Sequence, residues 1–125
     1  MENLDDRALQ QVAEFFSAFA VPMRLKILNG LRDGERNVGE LTAELGCSQA
    51  NISKHLGMLS KAGLIEKTTR GTSAFYRISD PRIYDLCDLV CVQVGRRLTQ
   101  ETESRDAFLR ILDGAKSAAR KRTRR

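Results

Sequence analysis

Apolar residues recur at helical spacing over residues 7–20, RALQQVAEFFSAFA, where Leu9, Val12, Phe15, Phe16 and Phe19 share one side. Val21-Pro22 interrupts the run, and proline, which lacks an N–H, suits the first turn of a new helix. That second helix, MRLKILNGLR, presents Leu25, Ile27, Leu28 and Leu31 before a turn at Asp33-Gly34. A short third helix is predicted over roughly residues 38–45 and stops at Gly46. Ser48 is placed to cap a fourth, SQANISKHLGMLSKAG, whose apolar stripe is Ile52, Leu56 and Leu59 and which ends at Gly63.

The period then changes. LIEKTT and SAFYRIS are short β-rich runs, and Arg70-Gly71-Thr72 between them reads as a hairpin turn. After Ser79-Asp80-Pro81 the helical period returns and runs to about Leu98, with Ser79 or Asp80 as cap and Pro81 in the first turn. A further amphipathic stretch, DAFLRILDGA, follows. The predicted fold is mainly α with a two-stranded β-hairpin, and there is no internal repeat.

Residues 38–63 carry the chemistry. A short helix, a tight turn at Gly46 and a polar-capped second helix let Leu41 and Leu45 face Ile52 and Leu56, a helix-turn-helix arrangement. The second helix is apolar on one side only. Its other side, near the N-terminus, shows Ser48, Gln49, Ser53 and Lys54, with Asn51 at the edge and Lys61 further along. Short or forked polar groups at a helix N-terminus suit base edges and phosphates in a major groove. The hairpin that follows completes a winged helix-turn-helix, with Arg70 and Thr72 as wing-tip candidates. The same outline occurs in domains that bind no nucleic acid, but the polar face, the wing and the charge distribution all point towards DNA.

The charge is unevenly placed. The net charge is +5, yet the last ten residues, KSAARKRTRR, contain six Lys/Arg and no acid, leaving fifteen basic against sixteen acidic residues elsewhere. Residues 1–115 are therefore expected to form one domain and residues 116–125 a basic, disordered tail. The length suits a single domain. No apolar run approaches the roughly 18–20 residues a membrane span needs. The polar, acidic start MENLDDRALQQ does not read as a secretory signal, so a cytoplasmic protein with no membrane partner is expected. Three cysteines, an odd number, argue against a disulfide framework.

Residues 23–80 resemble the arsenic-repressor (ArsR/SmtB) family of winged-helix regulators. The likeness rests on PMRLKILNGL, on NVGELTAELGCSQANISKHLGMLSKAGLI and on RGTSAFYRISD. It implies a homodimer, formed mainly through the first and last helices, that binds a partly palindromic operator, represses transcription and loses DNA affinity when a ligand binds. By matching positions it makes Gln49, Ser53, Lys54 and His55 the recognition-helix residues that meet DNA, with a backbone or cap-network role for His55 favoured over metal ligation. Two sensor sites of the family are depleted. Asn37-Val38-Gly39-Glu40 lacks the leading cysteine of one, and Asp80-Pro81-Arg82 keeps only the aspartate of the other. His55 is the sole histidine.

The thiols remain. Cys87 and Cys91 lie four residues apart in LCDLVC. Side chains so spaced on a helix have Cβ atoms about 5–6 Å apart, against about 3.5–4.5 Å for a disulfide. The spacing disfavours a direct bridge and permits two thiolates to share one soft ion. A trigonal As(III) or Sb(III) centre needs a third sulfur, which only Cys47, just before the recognition helix, can supply. The expectation is a repressor with no constitutive cofactor, released by As(III), Sb(III) or another thiophilic ion at Cys47, Cys87 and Cys91. Alternatives are a thiol-based redox or reactive-sulfur sensor, and a constitutive DNA-binding protein with inert cysteines packed as small apolar residues. An enzyme is not expected, because there is no Gly-rich phosphate loop and no nucleophile–base pairing around His55.

Overall fold

A computed structural model describes residues 1–123, with side chains described to residue 115. The element order is α1 (Asp6–Phe19), α2 (Pro22–Gly30), β1 (Arg36–Asn37), α3 (Val38–Leu45), α4 (Gln49–Lys61), β2 (Ile65–Arg70), β3 (Ser73–Ile78) and α5 (Ile83–Thr123). Two compact units result: Met1–Arg82, and the long helix that follows.

The first unit is built on aliphatic residues that the helical and strand periods bring inward. Ile27, Leu28 and Leu31 from the α2 region, Leu41 from α3, Ile52, Leu56 and Leu59 from α4, and Leu64 and Ile65 at the start of β2 are all buried. Local chemistry sets the boundaries. Asp5 caps α1 by accepting from the Ala8 N–H at 2.8 Å, and Pro22 opens α2. Asn37 caps α3 by accepting from Glu40 N–H at 2.8 Å, and Ser48 caps α4 by accepting from Asn51 N–H at 3.2 Å. Between α3 and α4 the chain reverses through Gly46 at φ +67°, a left-handed conformation that side chains resist, while its N–H donates to the Thr42 carbonyl at 3.0 Å.

The sheet has three strands where two were expected. Its order is β1-β3-β2, antiparallel throughout. The hairpin runs from Ile65 opposite Ile78 to Arg70 opposite Ser73 around a turn at Gly71, φ +61°. The added strand is only Arg36 and Asn37, opposite Tyr76 and Phe75. α1 buries none of its residues within this unit. Phe15, Phe16 and Phe19 instead pack edge to face, with Phe19 5.8 Å from each of the others.

The last helix differs from expectation at both ends. It starts at Ile83 rather than at Asp80, because the Asp80 carboxylate accepts from Arg82 N–H at 3.0 Å and also from the Arg82 guanidinium. That local turn occupies Pro81-Arg82 before the helical dihedrals begin. It is also one helix rather than two: its 41 residues span about 60 Å. Thr99 and Thr102 sit in its middle and donate their hydroxyls to the carbonyls of Gly95 and Leu98, each at 3.0 Å. The backbone of α5 continues to Thr123, into the expected basic tail, while the side chains of residues 116–125 and the backbone of residues 124–125 lie outside the described residues. Among the described residues no helix is long and apolar enough to cross a membrane.

Candidate nucleic-acid interface

Helix α4 carries its buried stripe and its polar face as the sequence predicts. Ile52, Leu56 and Leu59 have no exposed surface, whereas Ser48, Gln49, Asn51, Ser53, Lys54 and Lys61 are all exposed. Gln49 and Ser53 are one turn apart and form a continuous polar edge beginning at the capped end. The free N–H groups of the first turn and the Lys54 ammonium add positive potential there, which favours phosphate. Lys61, two turns on from Lys54, lines a cleft of about 580 Å³ with Phe15 and Ala18 of α1, Arg24 of α2 and Met58 of α4.

His55 lies on the flank of the same helix and is half-buried. Its Nδ1 accepts from Arg24 Nε at 3.1 Å, and Arg24 Nη1 also donates to the Ala18 carbonyl at 3.0 Å. Partial burial pushes the imidazole pKa below its ordinary value of 6.5, and the positive charges of Arg24 and Lys54 push it further the same way. The ring is therefore a neutral acceptor towards Arg24. Sequence reasoning reached His55 but not Arg24, which stands 31 positions earlier and carries no local signal.

The wing tip is more constrained than a free arginine. Arg70 forms a two-pronged ion pair with Glu35, Nη1 to Oε1 at 2.5 Å and Nη2 to Oε2 at 3.1 Å. Its guanidinium also lies 5.0 Å from the centre of the Phe75 ring. Thr72 is exposed in the turn. On the same sheet Arg77 pairs with Glu66 at 2.6 Å, and Arg36 reaches Glu44 of α3 at 3.3 Å. Glu35 and Phe75 are partners of the site that the sequence reading missed.

The thiols are placed as follows. Cys47 is half-buried, with its Sγ 3.6 Å from Met23 Sδ. Cys87 is half-buried and Cys91 exposed, on consecutive turns of α5. Among the described residues no group of three or more His, Cys, Asp or Glu side chains is gathered that could hold a metal ion. Asp80, the one surviving member of the other family sensor site, is taken up by Arg82. Hydrogen bonds from that side chain, chiefly, hold the Asp80 pKa down to about 2.

Comparison with known proteins gives these elements a context. The family model described as "Bacterial regulatory protein, arsR family" matches residues 22–67, the span from α2 through the recognition helix into the wing. An uncharacterised HTH-type transcriptional regulator of Mycobacterium tuberculosis, Rv0081, is 39% identical over 75 residues, which is 59% of this chain and 66% of the relative. Its crystal structure superimposes with a TM-score of 0.71 at 31% identity, covering 78% of this chain and 99% of that one. A probable mercury resistance operon repressor of Streptomyces lividans is 39% identical over 74 residues, 59% of each chain. A homodimeric winged helix-turn-helix DNA-binding domain from Mycobacterium bovis superimposes with a TM-score of 0.66 at 35% identity, covering 78% of this chain and 94% of that one. The family match thus spans the capped recognition helix and reaches the start of the wing, the likeness to solved structures covers most of the chain, and the chain belongs to the arsR family of bacterial regulatory proteins, as a winged helix-turn-helix transcriptional regulator rather than an enzyme.

Proposed function

We propose that the protein is a homodimeric repressor that holds a partly palindromic operator and releases it when a thiophilic ion binds its cysteines. The observation that carries the DNA half is the exposed polar edge of α4, Gln49 to Lys54, set on a fully buried stripe and flanked by a wing. Gln49 and Ser53 read base edges. Ser48, Asn51, Lys54, Lys61 and Thr72 serve the phosphates, and Arg70 serves the groove beside the recognition helix. Pairing of two copies is supported by the exposed aromatic face of α1 and by the exposed apolar residues of α5, among them Leu89, Val90, Val94 and Leu98. The homodimeric Mycobacterium bovis domain lends the same support.

The release half rests on Cys87 and Cys91. Thiolates on consecutive turns hold one soft ion with two bonds of about 2.3 Å each, without the strain of a disulfide. The Streptomyces relative is described as a mercury resistance operon repressor, which favours a thiophilic effector here. As(III) and Sb(III) require a third sulfur, which Cys47 supplies only if the two units or the two copies bring it to the pair.

Competition between palindromic promoter duplexes and unrelated duplexes of equal length tests the first half. A regulator prefers one site by orders of magnitude at physiological salt, and equal binding to all duplexes overturns the reading. Arsenite, antimonite, Hg(II), Cd(II) and Zn(II) titrated against the complex test the second, with Cys47→Ser, Cys87→Ser and Cys91→Ser in parallel. Release that persists in all three variants overturns the thiol site.

A further inference from the structure

Arg24 stands where three helices meet. It belongs to α2, donates to the Ala18 carbonyl near the end of α1, and donates to the His55 ring on α4. A guanidinium has donors and no acceptor, so the ring nitrogen it meets must present a lone pair. With Nδ1 accepting, the proton of the neutral ring sits on Nε2. No residue among those described accepts from Nε2, and the ring is only half-buried, next to Lys54 on the helix that faces DNA. A fixed, outward N–H beside a lysine is a donor without a partner, and a phosphate oxygen is the acceptor that such a pair recognises.

We propose that His55 donates its Nε2–H to a DNA phosphate and that Arg24 is the positioning residue that makes this possible, by fixing the ring's tautomer and tying the recognition helix to α1 through the Ala18 carbonyl. The proposal rests on the DNA-binding reading above. The contact is neutral, which separates it from the lysines. Lys54 neutralises phosphate charge and releases counterions, so its loss weakens binding and lowers the salt dependence together. Loss of the His55 donor weakens binding at unchanged salt dependence. The tie to Ala18 gives Arg24 a second consequence: a shift of α1 reaches the ring directly, through one side chain.

Two isosteric changes divide the ring's roles. His55→Asn keeps an acceptor near the Nδ1 position for Arg24 and removes the distal donor. His55→Gln keeps an amide donor near the Nε2 position and removes the acceptor for Arg24. Binding of the full chain to the preferred palindromic duplex is measured by fluorescence anisotropy across a KCl series, alongside thermal unfolding. His55→Asn is expected to keep the melting temperature and to weaken binding about threefold to tenfold at every salt concentration, with an unchanged slope. Lys54→Ala should lower the slope by about one. Because His55 is the only histidine, imidazole nitrogen resonances of the labelled protein need no assignment. They should show Nε2–H and an accepting Nδ1, the Nε2–H signal should move when the duplex is added, and Arg24→Met should mix the two tautomers. Wild-type affinity in His55→Asn, or an Nδ1–H ring in the native protein, overturns the proposal while leaving the repressor reading intact. Failure of the wild type to prefer any duplex overturns that reading instead.

Discussion

The ion pair between Glu35 and Arg70 sets up a competition whose outcome is measurable. Arg70 reaches DNA only by leaving, or sharing, the carboxylate that grips it with two hydrogen bonds. Both side chains are open to solvent, 57% exposed for Arg70 and 34% for Glu35. A pair so exposed contributes about 0.2–1 kcal/mol, with two-pronged geometry near the upper end. Glu35→Gln should therefore cost the free protein no more than about 1 kcal/mol of stability. The same energy no longer has to be given up on binding, so operator affinity should rise by up to about fivefold. Phe75, 5.0 Å from the guanidinium, keeps the arginine at the wing in the variant. Removing a negative charge near DNA also helps binding non-specifically, so the effect must be isolated by a cycle. Operator dissociation constants are measured for wild type, Glu35→Gln, Arg70→Ala and the double variant. The gain should vanish in the Arg70→Ala background. If Glu35→Gln binds no tighter than wild type, or gains equally with and without Arg70, the pair does not restrain the wing arginine.

Other consequences are simpler. Leu56 has no exposed surface between α4 and its neighbours, so Leu56→Ala should destabilise the protein by about 2–5 kcal/mol in urea unfolding; a loss below about 1 kcal/mol would mean that the core is looser than drawn. Ser48→Ala removes the acceptor for the Asn51 N–H and should cost about 1 kcal/mol, seen as a lower urea midpoint. The His55 pKa is lower in the folded protein than its ordinary 6.5, so the unfolded chain binds the proton more readily. Stability should thus fall as pH drops below about 6.5 and be unaffected by this group above it. Urea midpoints at pH 7.5, 6.5 and 5.5 should reveal the decline, and His55→Asn should lose the part that the ring causes.

What the sequence made legible was local. Gly46, Ser48 and Gly63 mark turns and caps through their own backbone chemistry, and the spacing of Ile52, Leu56 and Leu59 identifies the buried side of the recognition helix without any partner in view. Most of the misses depend on residues distant in the chain. Arg36-Asn37 has no alternation to announce a strand; it is a strand because Tyr76 and Phe75 lie opposite it. The exposed arginine at the wing tip was visible, but its capture by Glu35, 35 positions away, was not. The same is true of Arg24 and His55. The start of α5 was misplaced for a different reason. Asp80 is a good cap by residue type, and only the Arg82 side chain decides that its carboxylate closes a turn instead.

The two-residue strand β1 makes Asn37 serve two elements at once. It pairs with Phe75 of the wing, and its side chain caps the helix that packs against the recognition helix. Sheet register and helix entry thereby meet in one residue, which ties the position of the wing to that of the helix supporting the recognition helix. Under the proposed DNA-binding function, operators should then be graded in part by how cheaply their base steps bend and narrow to meet both wing and helix, including at positions that no side chain touches.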